Sequence, residues 1–148
     1  LGGIDKAFLL FWLNWLEKTG GEIVSSIPEL HVITEQIPTA ELRPLDKMQS
    51  DEADLMPYDV LDYIERHAIG RKKSPKQVLQ VLMEKYPQHS EVNCKQYVKT
   101  FYTLWSRNQW KRERLAPSFH LDDQNLDPKS WCRFPILSSG FMEELKKL

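Results

Sequence analysis

Cysteine is scarce in this sequence, and the histidines are scattered. Two cysteines, Cys94 and Cys132, occur among 148 residues without CxxC spacing, and the four histidines stand far apart. Zinc sites and disulfide frameworks both need ligands that are closer together or more numerous. We therefore expect two free thiols, no bound metal and a reducing compartment.

Long apolar runs and net charge are lacking as well. The apolar stretch that begins at Ala7 spans about ten residues, with Asn14 inside it, whereas a helix needs about 20 to cross a bilayer. It also lacks the basic flank and cleavage site of a signal peptide, so we expect a cytoplasmic protein. The 20 Lys and Arg residues nearly balance 21 Asp and Glu residues, giving a net charge of −1. No overall field attracts nucleic acid or an anionic membrane, and any anion binding must be local.

Helical periodicity dominates what the sequence does contain. Asp5 is a candidate N-cap for a helix over residues 6–18, which Gly20 and Gly21 end. Residues 23–33 fit a short helix or a strand, and we favour the short helix. The apolar face of the first helix is wide, so we expect this helix to be buried on more than one side. The residues of this face are Phe8, Leu9, Trp12, Leu13, Trp15 and Leu16.

Four more helices are predicted towards the C-terminal end. They cover residues 58–69, the stretch after a capping box formed by Ser74 and Gln77, a long helix that Ser90 begins and that runs to about residue 115, and residues 141–148. With no strong strand alternation, we predict a mainly α fold. The predicted inward residues are Val60, Leu61, Ile64, Ala68, Val78, Leu79, Leu82, Met83, Val92, Tyr97, Val98, Phe101, Leu104 and Trp105.

A charged loop is predicted at about residues 38–57. It begins with the sequence PTAEL, is bounded by prolines, and carries carboxylates just before the next helix. Loops of this length are typically mobile and act on a ligand. Its acidic residues suit Mg²⁺, which prefers oxygen ligands, but they also suit the dipole of the helix that follows. Both interpretations stay open for Asp51, Glu52 and Asp54.

A basic cluster occupies residues 107–114, where four cations accompany one anion. Cations at the end of a helix complement its dipole, and this alone explains much of the cluster. The same cations can bind phosphate, with Trp105 or Trp110 packing on a base or nicotinamide ring. We find no nucleophile or general base that must carry a covalent step, so we assign no catalytic residue.

Several motifs in fixed order resemble bacterial glutamine-dependent NAD synthetases. They are GGIDK at residues 2–6, PTAEL at 38–42 with Q-x-D-E and L-x-x-Y-x-x-L-D after it, NQWKR at 108–112, and RFPI at 133–136. The resemblance runs from residue 2 to about 137. It implies that residues 1–148 are the helical C-terminal part of an α/β Rossmann-like synthetase domain, of the adenine nucleotide alpha-hydrolase type.

The resemblance also implies roles for individual residues. It makes Lys6 and Thr39 ATP-binding residues and makes Trp110 and Lys111 residues that bind deamido-NAD. The loop at about 38–57 would close over ATP, and the helix and tail would occupy residues 90–148. The further loop candidates are Glu41, Asp51 and Asp54.

The implied reaction uses ATP and Mg²⁺ as co-substrates. ATP adenylates deamido-NAD, and ammonia derived from glutamine then displaces AMP to give NAD. The family's phosphate loop, S-G-G-x-D-S, and its nitrilase-like glutaminase domain have no counterpart in these residues. We therefore expect an inactive fragment with no bound cofactor, whose partners in the full enzyme are the missing N-terminal half, the glutaminase domain and further copies of the chain.

Two other function classes remain open from the residues alone. A helical interaction module could bind a protein partner through Trp12, Trp15, Trp105 and Trp110. RNA binding through residues 107–114 is a weaker alternative. Lys6 also fits a solvated first-turn lysine, and Thr39 an ordinary turn residue beside Pro38.

Overall fold

The computed structural model describes residues 3–36, 55–114, 116–121 and 126–148. Helices and helical turns are the regular elements of this described part, apart from isolated bridge residues, of which Gly20 and Ser25 pair with each other. The predicted helical fold class is therefore confirmed. The chain divides into two compact units, Ile4–Tyr58 and Asp59–Leu148.

The first unit is built on helix α1, Lys6–Lys18, which has the predicted bounds. A 3₁₀ turn, Pro28–Leu30, leads directly into the short helix α2, His31–Thr34. Both of them pack against α1. The helical interpretation of this segment is thus confirmed, with proline at the first position of the turn, where its missing N–H costs nothing.

Hydrogen bonds and one glycine hold the first unit together. The Ile27 N–H donates to the Leu16 carbonyl at 2.9 Å, and the Thr34 hydroxyl donates to the Glu17 carboxylate. Gly20 has a φ of +63°, and a Cβ there would lie within 2.7 Å of the backbone of residues 24–26. A glycine is therefore required at the sharp turn that brings the chain back to α1.

The apolar face of α1 is more exposed than predicted. Leu16 is the buried residue of this helix. The expectation of burial on more than one side is wrong for this structure, because the 3₁₀ turn and α2 are the described elements of this unit that pack on α1. Between 38% and 68% of the side chain is exposed at Phe8, Leu9, Phe11, Trp12 and Trp15.

The second unit contains the longer helices. Helix α3, Tyr58–Glu65, continues into a π-helical turn, Arg66–Gly70, so the predicted helix over residues 58–69 is present with a widened last turn. Helix α4 is Pro75–Lys85, and helix α5 is Glu91–Arg107. The predicted capping box of Ser74 and Gln77 is formed, and Ser90 caps α5.

Two short helices complete this unit. Helix α6, Gln109–Glu113, follows α5 after a break at Asn108, and helix α7, Met142–Lys146, lies near the end of the chain. The prediction that the long helix continues to about residue 115 is therefore wrong. The φ of −95° and ψ of 16° at Asn108 are not helical, and they start a new helix axis there.

The core of the second unit lies between α3, α4 and α5. These helices bury the apolar stripes predicted from the sequence, although Met83 and Val92 point outward, and Leu61, Tyr97 and Leu104 are half-buried. Val92 lies in the first turn of α5 and is exposed, so helical periodicity alone assigned it wrongly to the core. No solvent reaches Val60, Ile64, Val78, Leu82, Cys94 and Val98.

Two tyrosine hydroxyls connect this core to neighbouring backbone. Tyr86 donates to the Asp59 carbonyl at 3.1 Å, and Tyr102 donates to the Lys73 carbonyl at 2.5 Å. Burial, followed by the nearby Asp59 charge, raises the pKa of Tyr86 to about 12. Both hydroxyls therefore stay protonated donors at neutral pH and keep these carbonyls paired.

The two cysteines are free thiols, as predicted, and both are buried. Burial raises the pKa of the Cys94 thiol and of the Cys132 thiol, so neither is poised as a thiolate. None of the described helices combines the length and apolar composition needed to cross a membrane.

The packing of α5 in the core can be tested by comparing a buried valine with an exposed valine on the same helix. Val98→Ala removes two buried methyl groups from α5 and should lower the free energy of unfolding by about 2 kcal/mol. Val92→Ala makes the same change on the same helix at a side chain that is 75% exposed, and should change it by less than about 0.5 kcal/mol. Urea titration of the 148-residue chain measures both, and equal losses would contradict this packing.

Candidate functional site

The candidate site begins where α5 ends. The carbonyl of Trp105 is one of the last on this helix and has no partner along the helix itself. The Gln109 side-chain amide donates to it at 2.9 Å, and the Arg112 guanidinium donates to the same oxygen. These two donors are the first and fourth residues of α6, so this short helix is joined to the end of α5 through one carbonyl.

Arg112 is consequently a structural residue. Its guanidinium carbon lies 5.7 Å from the centre of the Trp105 ring, and the side chain is half-buried. Burial lowers the pKa of Arg112, while Cys132 and Glu65 oppose that shift. Arginine keeps its charge under such conditions, so Arg112 stays a cation inside the fold. The predicted cluster of four cations therefore presents fewer than four charges to a ligand.

Trp105 and Trp110 have different environments. Trp105 is 8% exposed, and its ring packs 4.2 Å from that of Phe134 and 6.1 Å from that of Phe141, measured between centroids. Trp110, on α6, is 47% exposed. Of the two tryptophans considered from the sequence, Trp110 is the one that can pack on a ligand ring.

Two cations flank the exposed Trp110. Lys111 Nζ lies 5.7 Å and Arg114 Cζ lies 5.8 Å from the centre of the Trp110 ring. Both distances lie in the range of cation–π attraction, which orders these long side chains near the ring. The structure therefore brings together an exposed aromatic surface and two charge-assisted donors, a combination that suits a ligand with a ring and a phosphate.

Lys6 lies in the first unit, at the start of α1. Its ammonium group is 5.3 Å from the centre of the Tyr58 ring. The lysine is exposed at the first turn of α1, as its position in the sequence predicts, and it also has this aromatic partner. The remaining predicted loop residues, Thr39, Glu41, Asp51 and Asp54, lie outside the described residues.

Sequence reasoning counted Arg114 in the basic cluster without pairing it with Trp110, and it missed the contact of Tyr58 with Lys6. Arg114 stands four residues after Trp110, and this spacing places neighbours on one helix face, so a signal was present. Tyr58 is 52 positions after Lys6 in the sequence. No local pattern connects two residues at that separation, and tertiary structure alone pairs them.

His120, near the C-terminal end of the chain, lies close to a serine and an aspartate. His120 Nε2 lies 3.1 Å from Asp127 Oδ2 and 3.5 Å from the Ser130 hydroxyl. A catalytic Ser-His-Asp set uses both ring nitrogens, one for each partner, but here both partners meet the same nitrogen. A hydrogen bond from the Lys129 N–H is the main cause that lowers the pKa of Asp127. The cluster therefore anchors the turn at Asp127.

Metal-binding potential is low in the part of the chain that the structure describes. There, no three histidine, cysteine, aspartate or glutamate side chains gather into a possible ligand set. The acidic residues that the sequence offered for Mg²⁺ belong to the undescribed segment between residues 36 and 55.

Comparison with known proteins agrees with the motif resemblance. No protein-family model matches the chain. The chain is 30% identical over 152 residues to a Schizosaccharomyces pombe protein named as a glutamine-dependent NAD(+) synthetase, and the match covers 100% of this chain and 21% of that protein. It is 31% identical over 153 residues to the glutamine-dependent NAD(+) synthetase of Arabidopsis thaliana, covering 100% of this chain and 20% of that one.

A solved structure is similar as well. It is the crystal structure of a glutamine-dependent NAD(+) synthetase from Cytophaga hutchinsonii, with 46% identity and a TM-score of 0.73, and the match covers 98% of this chain and 21% of that one. The resemblance to glutamine-dependent NAD synthetases is thus confirmed in sequence and in fold. The chain spans about a fifth of the length of the relatives it matches.

The basic cluster should separate into structural and surface cations. Arg112→Ala removes a half-buried donor to the Trp105 carbonyl and should lower the free energy of unfolding by about 2 kcal/mol. Arg114→Ala removes an exposed cation from the same segment and should change it by less than about 0.5 kcal/mol. Thermal and urea unfolding compare the two variants. A larger loss for Arg114→Ala would contradict the inward placement of Arg112.

Proposed function

We propose that this chain is part of an enzyme that makes NAD from deamido-NAD, using ATP and ammonia derived from glutamine. The proposal is supported by similarity to glutamine-dependent NAD(+) synthetases along 100% of the chain. Because the chain corresponds to about a fifth of those proteins, the activity is proposed for the whole protein. We further propose that this protein is cytoplasmic.

The chemistry of this reaction has two steps. A carboxylate oxygen of the nicotinate attacks the α-phosphorus of ATP, and pyrophosphate leaves. Ammonia then attacks the acyl carbon of the adenylate, loses a proton, and AMP leaves with the electrons of the broken C–O bond. Such a reaction needs cationic donors at the phosphates and protection of the acyl-adenylate from water.

The observation that carries the proposal is the arrangement at Trp110. An exposed ring with Lys111 Nζ and Arg114 Cζ within 6 Å of its centre can contact both a planar ring and a phosphate of one dinucleotide. We propose that Trp110 and Lys111 bind deamido-NAD. Arg114 joins them as a further cation of the same site.

The ATP-binding residues are proposed from the motifs GGIDK and PTAEL. We propose that Lys6 and Thr39 bind ATP and that Glu41, Asp51 and Asp54 belong to the loop that closes over it. The Tyr58 ring near the Lys6 ammonium supports a defined position for this lysine. Mg²⁺ would accompany the ATP phosphates and neutralise their charge in the full enzyme.

An interaction role is the second candidate function, and the exposed face of α1 favours it. Five large apolar side chains on one helix, each at least 38% exposed, are more than an isolated surface helix normally presents. We propose that in the full enzyme this face packs against the missing N-terminal half or a second subunit. The interaction role would then serve the enzyme.

The isolated 148 residues should have no synthetase activity, because they lack the phosphate loop that the resemblance requires for placing ATP. The full-length protein should form NAD from deamido-NAD, ATP and glutamine. Chromatographic measurement of NAD and AMP in both preparations tests this, and turnover by the isolated chain would overturn the prediction.

Lys111→Ala in the full-length protein tests the substrate site. Loss of a charge-assisted bond worth about 1.5–3 kcal/mol should weaken deamido-NAD binding about ten- to hundredfold, with a smaller effect on ATP. Lys95→Ala is the control, since Lys95 forms an exposed pair with Glu91 on α5 away from Trp110. Steady-state kinetics with each substrate varied in turn measures both.

A melting experiment separates binding from a helix-dipole role for Lys111. The dipole explanation expects a stability loss of no more than about 1 kcal/mol and unchanged affinities for both substrates. Titration with RNA at several salt concentrations tests the nucleic-acid alternative, which expects an RNA affinity that falls steeply as the salt concentration rises. Unchanged deamido-NAD affinity with a lowered melting temperature would contradict the proposed site.

A further inference from the structure

A cleft of about 520 Å³ lies between α5 and the segment at residues 139–146. Its volume falls in the range of small-molecule sites. It lies entirely in the second unit, and none of the residues named above for deamido-NAD or ATP lines it. We propose that this cleft, hereafter the α5–α7 cleft, binds a small phosphomonoester with an apolar body.

Uncompensated positive charge is the first observation behind this proposal. Lys99 and Arg107 line the cleft from one face of α5, and Lys146 lines it from α7. Lys146 is neutralised by Glu143 at 2.6 Å, whereas Lys99 and Arg107 have no ion-pair partner among the described residues. None of the described residues lining the cleft is acidic. Two unpaired cations match the charge of about −2 on a phosphomonoester at neutral pH.

Hydroxyl groups between these cations are the second observation. Thr103, Ser106 and Ser139 line the cleft, and the first two lie on the stretch of α5 between Lys99 and Arg107. The Ser106 hydroxyl oxygen is buried and has no hydrogen-bond partner among the described residues. Buried polar atoms are normally paired, so this hydroxyl has an unused hydrogen bond that a ligand acceptor would satisfy once the side chain turns toward the cleft.

The backbone is shaped to leave Ser106 in this position. Gly140 has a φ of +70°, and a Cβ there would lie 2.9 Å from both the Cβ and the hydroxyl oxygen of Ser106. Glycine therefore allows the segment that closes the cleft to approach α5 closely. The tight contact holds the hydroxyl beside the cleft.

The rest of the lining specifies the body of the ligand. The rings of Tyr102 and Phe141 stand edge to face with centroids 4.7 Å apart, and Met142 and Leu145 add apolar surface. The Tyr102 hydroxyl is already used as a donor to Lys73, so its ring alone is available. The cleft thus combines cations and hydroxyl groups on α5 with an apolar surface opposite them. A phosphomonoester with an apolar body can contact both, whereas inorganic phosphate can contact only the first.

Phenyl phosphate is a suitable probe, because it carries a phosphomonoester on an apolar ring. We expect it to shift the amide resonances of residues lining the α5–α7 cleft in two-dimensional NMR spectra of the 148-residue chain. Phenol and inorganic phosphate should each bind at least about tenfold more weakly, since each lacks half of the recognised chemistry. Equal binding of inorganic phosphate, or no binding of phenyl phosphate, would overturn the proposal.

Charge variants decide where the probe binds. Lys99→Gln with Arg107→Gln should weaken phenyl phosphate binding about tenfold or more. Lys76→Gln with Lys85→Gln removes the same charge from exposed positions on α4 and should leave the affinity within about twofold. Lys111→Ala should also leave it unchanged. A loss confined to Lys111→Ala would place the probe at the Trp110 site and overturn the proposal without affecting the proposed function.

Ser106→Ala provides a test that does not depend on charge. Removing an unpaired buried hydroxyl should not lower the melting temperature, yet it should weaken phenyl phosphate binding about tenfold because the ligand loses a donor. A purely structural serine would show the reverse, with a lowered melting temperature and unchanged affinity. That result would overturn the assignment of Ser106 to the site.

Discussion

The Trp105 carbonyl, with its two side-chain donors, fixes the arrangement of the candidate site. Gln109 and Arg112 both reach back to this oxygen, so α5 ends at Arg107 and a new helix starts after Asn108. If the helix continued, the Trp105 carbonyl would accept from the backbone N–H of Gln109, four residues on. The break instead uses one cation internally and leaves Trp110 on the surface with the neighbouring cations.

The cations of the basic cluster differ in burial, and their roles differ accordingly. Arg112 keeps its charge in the half-buried position beside Trp105, where it donates to the Trp105 carbonyl together with Gln109. Lys111 and Arg114 remain near an exposed ring, where a ligand can reach them. Arg112 therefore fits the structural interpretation that the sequence left open, and Lys111 and Arg114 are the cations on which the proposed phosphate-binding role rests.

Local charge matters in this protein because the overall charge is nearly balanced. A net charge of −1 gives no long-range attraction for polyanions, and screening limits the reach of exposed cations to about 8–10 Å in physiological salt. Anion recognition then depends on cations held close together with an apolar neighbour. The described part of the chain places cations beside apolar surface at Trp110 and along the α5–α7 cleft, and the two places are distinguished by their lining residues.

The sequence by itself determined the helices, because capping residues and apolar periodicity act over a few positions. The bounds of α1, the capping box at Ser74 and the start of α5 were predictable, and ordered motifs identified the synthetase resemblance, on which the proposed role of Lys111 rests. Tertiary structure decided what depends on distant neighbours: the exposure of the α1 face, the break at Asn108, the inward turn of Arg112 and the pairing of Lys6 with Tyr58. Burial and contacts between distant positions arise from packing, which local sequence patterns do not encode.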